Sequence, residues 1–184
     1  MNQTKTICVF CGAGRHVAAP YFDVARETGA MLAREGFDVV YGGAHIGLMG
    51  AVADAALAHG GKVTGIIPGF LKDMEVAHTG LSELRLTETM HERQVEMAAM
   101  ADGFLVLPGG MGTLAEFFEV LTWRQLGLHS KPIAVLNVFG YWDFLLEFLK
   151  KAAAENFTQP PDAAMFAVLE GAGGLKAFLD GLKK

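Results

Sequence analysis

FLVLPGGMGT, residues 104–113, joins a run of large apolar side chains to a turn that contains three glycines. The run Phe104–Leu107 is typical of a strand buried on both faces of a sheet. After the turn, Thr113–Leu126 carries apolar residues at helical spacing, at offsets of 0, 3, 4 and 7 from Leu114. A buried strand, a glycine turn and a helix together form the repeating unit of a parallel α/β sheet.

The same unit recurs along the rest of the chain. The pattern predicts strands at Thr6–Cys11, Phe37–Tyr41, Val63–Ile67, Leu81–Thr87, Phe104–Leu107 and Pro132–Asn137. It predicts helices at Tyr21–Glu35, Leu48–His59, Thr89–Ala101, Thr113–Leu126 and Trp142–Ala154, then a Pro160-Pro161 turn and two short helices. Residues 70–80 are expected to be irregular or to form one short helical turn. The alternation predicts an α/β protein, a doubly wound parallel sheet with helices on both faces, in a single domain over residues 1–184.

The composition limits the class of protein. With 184 residues, of which 52% are hydrophobic and 19% charged, the chain fits one core. The 15 basic residues against 20 acidic ones give a net charge of -5, so no basic field attracts nucleic acid or an anionic membrane. No apolar run approaches the roughly 20 residues of a spanning helix, and the polar start Met1–Lys5 has no export signal. These features predict a cytoplasmic protein with no nucleic-acid and no membrane partner.

Metal and cofactor chemistry lack their usual residues. Cys8 and Cys11 form a C-x-x-C pair inside the predicted strand, where three steps of about 3.3 Å hold their Cα atoms roughly 10 Å apart. A disulfide needs Cα atoms within about 7 Å. The histidines show no ligand spacing for zinc, and no lysine has a context that identifies a Schiff base to pyridoxal phosphate. We therefore expect no metal and no cofactor.

Four turns converge on one edge of the predicted sheet. Because parallel strands with right-handed crossovers place every strand-to-helix turn at the carboxyl edge, residues 12–14, 42–47, 88–93 and 108–113 meet there. In the last turn, glycines let backbone amides approach an anion, and the following helix adds its positive end. This turn predicts a phosphate-binding site. The alternative is a tight turn that binds nothing.

The other glycine turns are less specific. The turn that starts at Gly12 has Val17 where a dinucleotide motif has its third glycine, and the second strand ends without a ribose-binding acid, so NAD is disfavoured. The chain has no G-x-x-x-x-G-K-[ST] motif either. Gly42-Gly43 and Gly47–Gly50 have two interpretations: close approach to a ribose or phosphate, or packing of a helix against the sheet.

Two charged residues beside the phosphate turn suggest chemistry. Glu116 is predicted in the first turn of its helix, near the expected phosphate, although acids there are also common partners of the helix dipole. Arg93 lies at the start of an apolar stripe with Met97 and Met100. A charged residue is not expected in such a stripe, so Arg93 indicates either function or a structural ion pair. An arginine, a glutamate and a phosphate site within reach of one ligand suit cleavage at the anomeric carbon of a ribose 5-phosphate.

The segment Met90–Gln94, followed by Pro108–Glu116, resembles the paired signature of the Lonely Guy (LOG) family, M-H-x-R-K and P-G-G-x-G-T-x-x-E. The resemblance implies homodimers of Rossmann-like subunits that hydrolyse cytokinin riboside 5'-monophosphates. Such proteins are often labelled lysine decarboxylases, a label without a suitable lysine here. The resemblance also implies that Arg93 and Glu116 are the catalytic pair.

Further residues are expected to bind the substrate. The resemblance implies that Gly109, Gly110, Gly112 and Thr113, with Met111 between them, hold the 5'-phosphate. The other expected substrate contacts are Gly12, Gly43, Glu75, Gln94, Glu119 and Thr122. Gln94 departs from the usual lysine, which removes a cation, and Ala13 departs from a common serine, which removes a hydroxyl.

The predicted reaction is hydrolysis of the N-glycosidic bond of adenosine 5'-monophosphate (AMP) or an N6-substituted AMP, with Glu116 stabilising the charged ribosyl centre. The alternative is a nucleotide or cofactor carrier that uses the same phosphate site without turnover. An apolar dimer face is also expected, with Arg85 or Arg124 of a partner as candidates to complete the site. Its aromatic residues are Phe117, Phe118, Trp123, Phe139, Tyr141, Trp142, Phe144 and Phe148.

Overall fold

A computed structural model describes residues 4–73, 76–158 and 165–183. The strands are β1 Thr6–Phe10, β2 Asp38–Tyr41, β3 Val63–Pro68, β4 Glu83–Thr87, β5 Gly103–Val106, β6 Ile133–Leu136 and β7 Ala167–Leu169. They form one parallel sheet in the order β4-β3-β2-β1-β5-β6-β7. Strands β2, β3 and β4 lie on one side of β1, and β5, β6 and β7 lie on the other, so the order in which strands are added changes direction between the neighbours β1 and β5. In open α/β sheets such a switch point opens a crevice at the carboxyl ends of the strands.

Helices cover both faces of the sheet. They are α1 Ala19–Arg34, α2 Gly47–Ala58, α3 Gly69–Asp73, α4 Met90–Met100, α5 Met111–Gln125, α6 Asp143–Ala154 and α7 Gly171–Leu182. Ile7 and Val9 of β1 lie in a core with residues of α1, α2 and α7. Cys8 and Phe10 lie in a second core with residues of α4, α5 and α6. Because successive side chains of a strand point to opposite faces, one strand serves both cores, which confirms the doubly wound sheet.

The structure differs from the sequence prediction in a missed strand and in the start of the helix that carries Glu116. After residue 164, where two short helices were predicted, the chain forms the strand β7, paired with β6, and then the single helix α7. The prediction missed the strand. A strand of three residues is too short to give a periodic signal in the sequence, and β7 forms because it pairs with the buried strand β6. Helix α5 begins at Met111 instead of Thr113, so Glu116 lies in its second turn. The Pro160-Pro161 turn lies outside the described residues.

The two cysteines are free thiols buried on opposite faces of the sheet. Burial raises the pKa of Cys8 and of Cys11, so neither thiol is a ready nucleophile. Among the described residues, no group of three or more His, Cys, Asp or Glu side chains is arranged to hold a metal ion. The described helices include none that is long and apolar enough to cross a membrane.

Candidate active site

A cleft of about 640 Å³ lies at the carboxyl edge of the sheet, where β1 and β5 meet. All four predicted turns contribute to it. The lining includes Gly12, Ala13 and Gly14 from the first turn, Gly42 and Ala44 from the second, Met90 and Arg93 from the third, and Pro108–Thr113 from the fourth. The structure therefore brings the predicted turns together around one site.

The N-terminus of α5 faces this cleft with free backbone amides. The N-cap is Gly110, which provides no side-chain cap. Within the described residues, the amides of Gly110, Met111, Gly112 and Thr113 donate no hydrogen bond. Four unpaired N–H groups at the positive end of a helix form a binding site for a phosphate.

Gly109 is packed so tightly that a side chain would not fit. A Cβ atom there would lie 2.1 Å from the Thr113 Oγ1 and 2.9 Å from the Gly12 nitrogen. The Gly12 amide donates to the Pro108 carbonyl at 3.0 Å, and the Gly12 carbonyl accepts from the Leu48 amide at 2.9 Å. These contacts fix the positions of the first, second and fourth turns relative to one another.

Arg93 and Glu116 form an ion pair at the floor of the cleft. The Arg93 Nη1 lies 2.7 Å from the Glu116 Oε1, and the two side chains are only 7% and 10% exposed. Arg93 Nε also donates to the Ile66 carbonyl at 3.1 Å. Burial raises the pKa of Glu116, and the neighbouring Arg93 guanidinium opposes that rise. The carboxyl group is thus held in a dry environment beside a fixed cation.

Local sequence features place Arg93 at this position. Thr89 caps α4 by accepting from the Glu92 amide at 3.1 Å, and the Glu92 carboxylate accepts from the Thr89 amide at 3.4 Å. This box fixes the first turn of α4. A Cβ at Gly42 would lie 1.9 Å from the Arg93 Nη2, so only glycine leaves room for the guanidinium. Gly42 therefore supports the site, although the sequence left its role open.

The neighbouring glycines serve packing. Gly43 has φ +77°, and a Cβ there would lie 3.1 Å from the Ile67 Cβ. Its carbonyl accepts from the His78 amide at 2.9 Å. A Cβ at Gly50 would lie 2.0 Å from the His45 carbonyl oxygen. For these two glycines the structure favours the packing interpretation, and Gly43 does not line the cleft.

Gln94 is buried against the cleft with an unused donor. Its side-chain Nε2 has no hydrogen-bond partner among the described residues. A buried amide donor without a partner is costly, and Gln94 lines the cleft, so this side chain is a candidate for contact with a ligand.

Two of the remaining expected contacts, Glu119 and Thr122, do not line the cleft. Glu119 is on α5 outside the cleft lining, with its Oε1 3.6 Å from the His91 Nδ1, and Thr122 is exposed further along that helix. Glu75 lies outside the described residues.

Tyr141 does line the cleft and was assigned from sequence only to a dimer face. Its place in the turn that follows β6, at the same edge of the sheet as the other four turns, is the sequence signal that could have indicated the site.

The expected dimer face divides in the structure. Phe117 and Trp142 are core residues, whereas Phe139, Phe144 and Phe148 are exposed. The two arginines considered for a partner site have partners in their own chain. Arg85 pairs with Glu83 and Glu96, and the Arg124 guanidinium donates to the carbonyls of Ser130 and Lys131.

Fold and cleft together define a class: a Rossmann-like protein with an anion-binding helix N-terminus and a buried acid in one site. A family model described as "Possible lysine decarboxylase" matches residues 49–176. The chain belongs to this family, which includes the Lonely Guy (LOG) proteins that its motifs resemble. Among the described residues that line the cleft there is no lysine, so the family's descriptive label has no Schiff-base residue here.

Curated relatives agree with the motif. The chain is 46% identical over 159 residues to the cytokinin riboside 5'-monophosphate phosphoribohydrolase LOG1 of Arabidopsis thaliana, which covers 86% of this chain and 75% of that protein. It is 46% identical over 172 residues to the phosphoribohydrolase of the same name from Rhodococcoides fascians, covering 91% and 87%. The match to LOG of Oryza sativa subsp. japonica is 48% over 156 residues and covers 85% of this chain and 64% of that protein.

Solved structures share the fold. The molybdenum cofactor binding protein from Rippkaea orientalis has a TM-score of 0.75 at 20% identity and covers 99% of each chain. The Moco carrier protein from Chlamydomonas reinhardtii has a TM-score of 0.76 at 20% identity and covers 98% of each chain. At this level of identity the likeness shows the Rossmann-like fold alone, because one fold hosts many functions.

Proposed function

We propose that the protein hydrolyses the N-glycosidic bond of AMP or an N6-modified AMP, giving the free base and ribose 5-phosphate. The observation that carries this proposal is the buried Arg93–Glu116 pair in the same cleft as the free amides of α5. A carrier has no use for a buried carboxylate beside the sugar. The names of relatives at about 46% identity support the same reaction.

In the proposed reaction each part of the cleft has a role. The α5 amides hold the 5'-phosphate, and Glu116, one helical turn beyond Gly112, faces the ribose. Water attacks C1', the C1'–N9 bond breaks, and its electron pair leaves with the purine, which takes up a proton from solvent to become the neutral base. The Glu116 carboxylate stabilises the positive ribosyl centre and accepts a proton from the attacking water. Binding of the remote phosphate positions C1' for this step.

We call residues 108–113 the phosphate loop. The wall of the cleft on the other side of β1 from this loop suits an apolar base. Ile46, Leu71, Val76 and Met90 line this part of the cleft. They come from the turns and short helix after β2, β3 and β4, on the opposite side of the switch point. An apolar wall of this kind accommodates a purine with an apolar N6 substituent.

Glu116→Gln tests the proposal. The purified variant and the wild type are incubated with AMP and with isopentenyl-AMP, and release of the base is followed by chromatography. We expect Glu116→Gln to bind both nucleotides but to release base at least about 100-fold more slowly. Glu147→Gln, on the exposed surface of α6, is the matched control. Nucleotide binding without base release by the wild type would instead support a carrier.

We also propose a homodimer through the exposed sides of α4 and α5. Val95 and Met111 are 45% and 84% exposed, and the contact between His91 and Glu119 joins their two helices on that side. Met111 also lines the cleft, so this surface borders the site. Val95→Glu is expected to give a monomer in light scattering, whereas Phe148→Glu, on α6, leaves the mass unchanged. The expected cytoplasmic location stays a prediction.

A further inference from the structure

The turn between β6 and α6 has an unusual backbone that delivers one tyrosine to the cleft. Phe139 and Gly140 follow each other with φ of 56° and 67°, a left-handed conformation that is uncommon for phenylalanine. Asn137 braces the turn, because its Oδ1 accepts from the Trp142 amide at 2.7 Å and its Nδ2 donates to the Asp143 Oδ1 at 2.8 Å. Tyr141 lies between these braced positions.

The Tyr141 ring is held on two sides. It makes edge contacts with Tyr21 and Trp142, at centroid distances of 5.6 and 4.7 Å. Its hydroxyl donates to the Gly109 carbonyl at 2.7 Å. A ring fixed in this way points one hydrogen bond at one peptide of the phosphate loop.

That hydrogen bond orients two amides of the loop. The Gly109 carbonyl and the Gly110 N–H belong to the same planar trans peptide and point in opposite directions, so fixing the carbonyl also fixes the amide. The Gly109 carbonyl is also the acceptor that the Thr113 amide would take in a continued helix. Among the described residues, no backbone amide donates to it. Both the Gly110 and the Thr113 amides therefore remain available to a ligand.

We propose that Tyr141 is a positioning residue that presents the Gly110 and Thr113 amides to the phosphate of the ligand. This inference rests on the proposed function only in taking that phosphate to be the 5'-phosphate of a nucleotide. Tyr141 acts through the loop and does not itself touch the reacting atoms.

Tyr141→Phe removes the hydroxyl and keeps the ring. Calorimetric titration of the full chain with ribose 5-phosphate, inorganic phosphate and adenine measures the effect on each ligand. We expect the variant to bind ribose 5-phosphate and phosphate about three- to tenfold more weakly, which is the scale of one hydrogen bond. Adenine affinity should be unchanged, and with AMP the KM should rise while kcat stays within about twofold.

Tyr21→Phe is the matched control, because Tyr21 also lines the cleft and its ring belongs to the same cluster, but its hydroxyl has no hydrogen-bond partner among the described residues. It should keep the wild-type ratio of ribose 5-phosphate affinity to adenine affinity. Equal losses for phosphate and adenine in Tyr141→Phe, or no loss for either, would overturn the proposal. The titrations need no turnover, so a wild type that releases no adenine would refute the proposed hydrolysis and leave this test intact.

Discussion

Two arginine clusters in this molecule have the same chemistry and opposite surroundings. Arg93 meets Glu116 inside the cleft, where both side chains are at most 10% exposed. Arg85 lies between Glu83 and Glu96 at the edge of the sheet, and its side chain is 39% exposed. An exposed pair is screened by water and contributes little, whereas burying a pair costs desolvation that its attraction often fails to repay. The buried pair is therefore better explained by function than by stability.

The net shift of the acid's pKa is opposite in the two clusters. Burial raises the pKa of Glu116 more than Arg93 lowers it. At the edge of the sheet, the hydrogen bonds from Arg85 lower the pKa of Glu83. Solvent access thus decides the sign of the shift, although each carboxylate lies beside an arginine.

The largest effects are expected from breaking the buried pair. Arg93→Met leaves the Glu116 carboxylate buried without its cation, so base release should fall at least about 100-fold and the free energy of unfolding by roughly 3–5 kcal/mol. Adding Glu116→Leu to Arg93→Met removes the remaining charge, so the double variant should recover most of the stability and none of the activity. Urea unfolding and chromatography of the released base measure the two quantities.

Stability and activity would then respond separately to the same pair. A double variant that is no more stable than Arg93→Met alone would show that the cost came from lost packing and not from an unpaired charge. The comparison between the two clusters would lose its physical basis in that case.

The next effect concerns pH. Hydrolysis needs the Glu116 carboxylate, and its pKa is raised by burial, so kcat/KM should fall on the acidic side at a pH above the usual range of a glutamate. The sign for stability is opposite. A raised pKa in the folded state favours folding at low pH, and that contribution is lost as the pH rises through the raised value.

Wild type and Glu116→Gln separate these responses. As the pH rises from the ordinary glutamate pKa to the raised pKa, the wild type should lose stability relative to Glu116→Gln. Over the same range the kcat/KM of the wild type should increase. Unfolding and initial rates are measured across that window in buffers of constant ionic strength. An acidic limb at or below the ordinary glutamate range would contradict the assignment of Glu116.

Sequence reasoning found the fold and most of the cleft because both depend on local patterns. Strand, glycine turn and helix are readable one unit at a time, and the rule for parallel sheets then brings Gly109 and Arg93 to one edge. The sequence did not predict the features that depend on packing between residues far apart in the chain. The short strand β7 needs its neighbour β6, and the role of Gly42 depends on an arginine that lies 51 positions further along the chain. Tyr141 was assigned to a surface because an aromatic residue has no local signal for a hydrogen bond to a distant loop.

The smallest effect is expected at the edge of the sheet. Arg85→Met removes the guanidinium between Glu83 and Glu96, but water solvates both acids in its absence, so Tm should stay within about 2 °C of the wild type and base release should be unchanged. The pKa of Glu83 should return toward its usual range, because Arg85 is the group that lowers it. Carboxyl NMR titration measures that shift, and scanning calorimetry measures Tm. A loss of stability or activity comparable to that of Arg93→Met would mean that exposure does not separate the two clusters, and that Arg85 supports the site or its dimer.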